Sequence, residues 1–393
     1  MSKVRCDLAG LPSAARRLTV LVVVTLLCAC LHPTAEAQQS SLRKGTYLEA
    51  QMHYGRIVKH TSKLLFEQES NSVGLEVNLL FQTHGKKDWH GFHKFPLFGL
   101  STYYYSLGNP DQLGHALAFV PNLTLKPIKR PSFDLIFQVG TGLAYLTRTF
   151  HRIDNPQNNA ISSHWNNATA FKLGISWHLR PRWTLNAGGS FIHFSNGSTR
   201  LPNFGINVPA AYMGVRFRPN PVLAEDYKPQ QGSDNPQRPW GVLAHTGMAY
   251  VEVLNIGGPR YPIYLASLGG YYHLSPYGRL QVGFEYEFNR GAYAFGKHTY
   301  SFTSEADARR RSGRYMIYAG YEFLFGPLGI QLQLGWYAGR QSILLRNVYY
   351  TKLISRYYLP SIGAKGPRPY LNVQLKSHLF NAEYVAFGLG MAF

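Results

Sequence analysis

The sequence predicts an all-β protein: an antiparallel transmembrane β-barrel of about 14–16 strands, closed either as one barrel or as two tandem eight-stranded units. Three observations predict it. The chain opens with the layout of an export leader. Many short segments then alternate apolar residues with small or polar ones, the period of a strand with one face in lipid. The last segment alternates in the same way and ends on Phe393. No later run of eighteen apolar residues could serve as a transmembrane helix. The 27 Tyr, 23 Phe and 38 Gly fit a lipid-facing sheet better than a helical bundle.

Residues 1–37 read as a secretory signal peptide. Lys3, Arg5, Arg16 and Arg17 precede the apolar run 18–31, and Ala35-Glu36-Ala37 places small residues for cleavage after Ala37. Leu27-Cys28-Ala29-Cys30 offers a rival lipoprotein reading with Cys30 acylated. All three cysteines lie in this leader. The mature chain is thus expected to lack disulfides, thiolate metal sites and a cysteine nucleophile.

Residues 38–218 form the first half. Strands are expected near 46–54, 72–82, 97–106, 114–126, 133–147, 168–179, 183–195 and 206–218. In 133–145 the odd positions run Phe133, Leu135, Phe137, Val139, Thr141, Leu143, Tyr145, against Asp134, Ile136, Gln138, Gly140, Gly142 and Ala144. In 169–179 Phe171, Leu173, Ile175 and Trp177 oppose Lys172, Gly174, Ser176 and His178. Both read as apolar outside and small or polar inside, with Tyr145 and Trp177 suited to a membrane interface.

A polar, proline-rich linker follows at 219–238. The second half, 239–393, repeats the pattern with strands near 240–252, 262–274, 279–289, 314–325, 328–338, 345–353, 369–380 and 382–393. Tight turns at Arg180-Pro181-Arg182, Ser275-Pro276-Tyr277-Gly278 and Phe325-Gly326-Pro327-Leu328 alternate with long polar loops at 148–167, 297–313 and about 341–367. Short turns on one side and long loops on the other is the membrane-barrel pattern. The linker suits two barrels; the single terminal strand, read as an outer-membrane assembly signal, favours one.

The formal charge is +20. In an exported protein this points away from nucleic acid and toward anionic lipid headgroups. For any single Lys or Arg, solvation of a loop is the plainer reading.

One stretch carries candidate chemistry: Phe191-Ile192-His193-Phe194-Ser195-Asn196-Gly197. Alternation puts His193 and Ser195 on the same, more apolar side of their strand. A serine is a useful nucleophile only with a base in reach, and the base works best when a third group holds its tautomer. Across the hairpin, Asn207 falls on the same face and is the candidate third group. Asn196 and Gly197 are candidate oxyanion donors. Arg200 is a candidate lipid-phosphate contact, or a solvated loop charge. The corresponding strand of the second half holds Ser377-His378-Leu379-Phe380, with no nucleophile paired to its histidine, and reads as structural.

The run His193-Phe194-Ser195-Asn196-Gly197-Ser198, followed by Pro202-Asn203-Phe204-Gly205-Ile206-Asn207, resembles the lipid A 3-O-deacylase family (PagL-like, acyloxyacyl hydrolases). The resemblance implies an outer-membrane barrel that hydrolyses an ester-linked acyl chain of lipid A without metal or other cofactor. It implies Ser195 as nucleophile, His193 as base and Asn196 as an oxyanion contact. Lipid A or lipopolysaccharide, the membrane and the outer-membrane assembly machinery are the expected partners. The resemblance covers mainly 183–218, extends more weakly over the first half and leaves the second half unexplained. Where the family has an acid, this chain has Asn207. The alternatives are a non-enzymatic barrel, either a pore or a lipopolysaccharide-binding scaffold, and a phospholipase.

Overall fold

The computed structural model describes residues 43–228, 239–253, 255–339, 342–344, 347–363, 366–378 and 381–393. The leader with its cleavage site, the second half of the linker (229–238), and Leu379-Phe380 lie outside the described residues.

The strands close into two barrels, not one. The first comprises β1 (Thr46–Gly55), β2 (Ser72–Gln82), a short helix α1 (Asp88–Phe92), β3 (Leu97–Ser106), β4 (His115–Lys129), β5 (Phe133–Leu146), β6 (Trp165–Arg180), β7 (Trp183–Ser195) and β8 (Ile206–Phe217). It is an antiparallel meander whose ends meet, with β1 pairing β8 from Leu48↔Phe217 to Gly55↔Ala210. The second comprises β9 (Trp240–Glu252), β10 (Arg260–Ser275), β11 (Gly278–Asn289), α2 (Arg290–His298), α3 (Glu305–Ser312), β12 (Gly313–Phe325), β13 (Leu328–Tyr337), β14 (Tyr349–Tyr358), β15 (Arg368–His378) and β16 (Asn381–Ala392). Here β16 pairs β9, and Phe393 exchanges backbone hydrogen bonds with Val242. The terminal strand therefore closes only the second barrel; Phe217 ends the strand that closes the first.

Alternation is what each strand obeys. Phe137, Leu143, Phe171 and Leu173 face outward and exposed, while Gln138, Lys172 and Ser176 are buried inside. On β16 the exposed Phe387 and Leu389 alternate with inward Tyr384 and Ala386. A belt of exposed large apolar side chains around both barrels suits hydrocarbon and would be an aggregation hazard in water.

Eight strands leave a lumen just wide enough for side chains. Both lumens are filled with paired charge. In the first, Glu49 holds Arg216 at 2.7 Å, and Glu76 holds Lys172 at 2.7 Å and His53 at 2.8 Å. In the second, Glu322 holds Arg279 and Arg356, Glu285 holds Lys352, and Glu287 holds Lys376. The acidic partners are already counted in the +20 net charge, so pairing inside the lumens leaves the basic excess to the rest of the chain. Toward its loop end the first barrel changes character: Phe66, Leu107, Leu113 and Ile161 descend from the loops and pack on Ile192, Phe194 and Ile206 as an apolar plug.

Two expectations are corrected. The strand expected near 345–353 lies at Tyr349–Tyr358 and interrupts the expected 341–367 loop. Its inward set includes Lys352 and Arg356, charges that read as loop until Glu285 and Glu322 are found opposite them. The expected polar loop 297–313 folds largely as helix. Asn289 and Ser304 side chains accept from Ala292 N and Asp307 N to cap α2 and α3, and Arg310 of the triple-arginine run pairs with Asp307 one turn back.

The barrels touch at their turn ends. His93, just after α1, donates from Nε2 to the Leu324 carbonyl at 2.9 Å, and the Phe92 ring lies 4.9 Å from that of Tyr277.

Candidate active site

The site is built on the outer face of β7 where it meets β8. Ile192 and Phe194 sit in the apolar plug, nearly without exposure. Burying such side chains is worth about 1.5–3 kcal/mol each, so the register of β7 is strongly held. With the even positions inside, His193 and Ser195 must face out. Asn207 is the cross-strand partner of His193.

Asn207 Oδ1 accepts from His193 Nδ1 at 2.6 Å. The other end of the same amide, Nδ2, donates to His60 Nδ1 at 3.0 Å. With the amide in this orientation the His193 proton lies on Nδ1 and Nε2 is the basic nitrogen. Gly205, at φ +80°, passes close to the ring: a Cβ there would lie 2.7 Å from His193 Cε1. Only glycine lets the loop run so near the imidazole.

Ser195 is buried, covered by the β7–β8 loop. Its Oγ accepts from Gly197 N at 3.2 Å and from Asn203 Nδ2 at 2.9 Å. No hydrogen bond joins Ser195 to His193 among the described residues. The Asn196 amide is committed to Asn203 Oδ1 at 3.0 Å, and its side chain to Ser163 Oγ at 2.9 Å. Arg200 is half-buried on the same loop, with no ion pair among the described residues. The structure therefore gathers His193 with Asn207, and Ser195 with Gly197, and holds Asn196 as a brace of the loop.

Asn203 and His60 carry no signal in the strand pattern. Asn203 sits within the turn-prone 196–205 stretch, where any Asn has a conformational reason to be. His60 lies far away in sequence and arrives only because β1 closes on β8.

Below the site a shallow groove of about 570 Å³ runs along the outer wall, lined by Tyr54, Phe171, Leu173, Gly189, Phe191 and Pro209. Gly189 and Phe191 share the face of His193 and Ser195, and a side chain at Gly189 would meet nothing within 4 Å.

The family model described as lipid A 3-O-deacylase (PagL) matches residues 73–216, and that of the acyloxyacyl hydrolase C-terminal domain matches residues 240–393. The chain belongs to the lipid A 3-O-deacylase family. The two matches fall on the two barrels, so the second half, left unexplained by the motif around Ser195, has a family counterpart of its own. Among solved structures, the outer membrane enzyme PagL is similar at 15% identity, covering 42% of this chain and 97% of that one with a TM-score of 0.31. Neisserial surface protein A is similar at 10% identity, with 44% and 97% covered and a TM-score of 0.32. KdgM porin is similar at 10%, with 71% and 94% covered and a TM-score of 0.18. No curated protein matches the chain. As a lipid A deacylase family member with closed, apolar-belted barrels, the protein is an outer-membrane β-barrel of a bacterium.

Proposed function

We propose that this protein removes an ester-linked acyl chain from lipid A by a serine–histidine mechanism. The observation that carries the reading is the 2.6 Å hydrogen bond from His193 Nδ1 to Asn207, on the outward face of the strand whose last residue is Ser195. A base with its tautomer held, beside a hydroxyl and facing the bilayer, suits a substrate resident in the membrane.

In this mechanism Ser195 Oγ attacks the ester carbonyl while His193 Nε2 takes the hydroxyl proton. The tetrahedral intermediate collapses, the C–O bond to the sugar breaks, and His193 returns the proton to the leaving alkoxide. Water, deprotonated by His193, then hydrolyses acyl-Ser195 and frees the fatty acid. The Gly197 N–H and Asn203 Nδ2, both already at Oγ, lie beside the position where the carbonyl oxygen becomes negative. Ser195 must trade these ground-state partners for His193 as substrate binds, a tightening common when free sites fill. The groove beside Phe191 receives the acyl chain: from Gly189 to Ser195 the strand rises ~20 Å. Arg200 meets a lipid A phosphate as point of attachment.

The test is mass spectrometry of lipid A from cells making the wild type, Ser195→Ala or His193→Ala. Loss of one acyl chain with the wild type alone is expected. An unchanged pattern from folded wild type would sink the reading. Release of fatty acid from phospholipid vesicles free of lipopolysaccharide would instead make it a phospholipase. The competing reading is an inactive lipopolysaccharide-binding scaffold, favoured by the amide at Asn207 and by the missing Ser195–His193 bond. The filled lumens argue against a pore.

A further inference from the structure

The loop that carries the serine's partners leans on the second barrel. Ser198 Oγ donates to the Ala382 carbonyl at the start of β16, at 2.8 Å. The Glu252 amide, at the end of β9, donates to the Ser198 carbonyl at 3.1 Å. Glu252 Oε2 in turn accepts from the Leu201 amide. Val385 of β16 backs Gly197 so closely that a Cβ there would lie 2.6 Å from Val385 Cγ2.

These contacts fall where the loop most needs help. Gly197 and Ser198 both sit at φ +60°. For Ser198 this left-handed conformation is unfavourable, and such residues persist when their surroundings over-determine them. The contacts that over-determine it here come from β9 and β16. Glu252 is itself buried, and its Oε1 has no partner among the described residues. A buried carboxylate with one oxygen unpaired is a costly way to hold a loop, which is understandable if the geometry of that loop is what matters.

We propose that the second barrel is a positioning element for the site, with Glu252 as its principal positioning residue: it clamps the 197–201 segment so that the Gly197 N–H stays directed at Ser195. This rests on the esterase reading for its consequence, but not for the clamp itself. The clamp also gives the second barrel a role in the first barrel's chemistry. The alignment of backbone donors is sensitive to shifts of an ångström, so a small release of this loop is felt in turnover before it is felt in binding.

The experiment uses the full chain, with Glu252→Ala and Glu252→Gln. Gln keeps an oxygen acceptor for the Leu201 amide and loses only the charge. Two readouts are taken: kcat and KM on lipid A in detergent, and hydrogen–deuterium exchange of the peptide spanning 196–204. Glu252→Ala should lower kcat about tenfold or more with KM nearly unchanged, and raise exchange in that peptide. Glu252→Gln should recover most of both. A folded Glu252→Ala protein with wild-type kcat overturns the proposal, whether or not exchange rises. If the wild type is inactive on lipid A, the esterase reading fails alone. The clamp then stands if exchange rises in Glu252→Ala and is recovered by Gln, and falls if exchange is unchanged.

Discussion

Asn207 Oδ1 accepts the hydrogen bond from His193 Nδ1, and it does so as an amide whose far end rests on His60. A carboxylate offers two equivalent oxygens to an imidazole. An amide offers one oxygen, and reversing it would present an N–H and drive His193 into the wrong tautomer. His60 supports the productive direction when its Nδ1 is the acceptor for the far end of Asn207.

Replacing Asn207 with Asp removes that dependence on direction and supplies the charge that stabilises the imidazolium. Asn207→Asp should raise kcat/KM at least about tenfold, since the converse change in serine hydrolases costs far more. His60→Ala should lower wild-type activity about fivefold, the value of one ordinary hydrogen bond of roughly 1 kcal/mol. In the Asn207→Asp background the same change should have little effect. A double-mutant cycle on deacylation rate measures the coupling, and equal effects of His60→Ala in both backgrounds would refute it.

Gly205→Ala tests how closely the loop defines the imidazole. The new methyl would sit 2.7 Å from His193 Cε1 on a backbone at φ +80°. The ring must move, and the left-handed residue costs roughly 1–2 kcal/mol. Activity should fall more than about tenfold while the barrel still folds, as read by its resistance to protease. Retained activity would mean that His193 is not held where the base must be.

Gly189→Leu addresses the groove. The side chain has open space before it and would project into the channel between Tyr54 and Phe171. Shortened substrates should be processed as before, and long-chain substrates more slowly. Release profiles from lipid A species of differing chain length would show the shift, and an unaltered profile would place the acyl chain elsewhere.

Lys172→Met leaves Glu76 and His53 in the lumen without their lysine. Stranding a buried carboxylate costs about 3–5 kcal/mol. The urea midpoint of the refolded barrel should drop accordingly. Glu76→Gln combined with Lys172→Met should recover part of that loss, because the stranded charge is then gone.

The strands were legible because one face of each meets lipid and the other meets a packed lumen, polar except under the loop-end plug of the first barrel, so period two marks most of their length. The same rule put His193 and Ser195 on one face and Asn207 opposite His193. It says nothing about closure, which depends on which strands share hydrogen bonds. Alternation is the same in one barrel of sixteen strands and in two of eight. The paired endings on Phe217 and Phe393 were the available clue. β14 was displaced because Lys352 and Arg356 are inside, neutralised by glutamates from distant strands. Asn203 and His60 were invisible for a related reason: each acts through a loop whose course is set by tertiary contacts.

The plug of Phe66, Leu107, Leu113 and Ile161 at the loop end has a consequence for the cell. With that end sealed by apolar side chains and the lumen below filled by ion pairs, the first barrel offers no open solute channel through its lumen to Ser195. In the proposed reaction the lipid substrate would arrive sideways, from within the leaflet or over its rim. The outer membrane can thus host such a protein, even in many copies, without surrendering its permeability barrier.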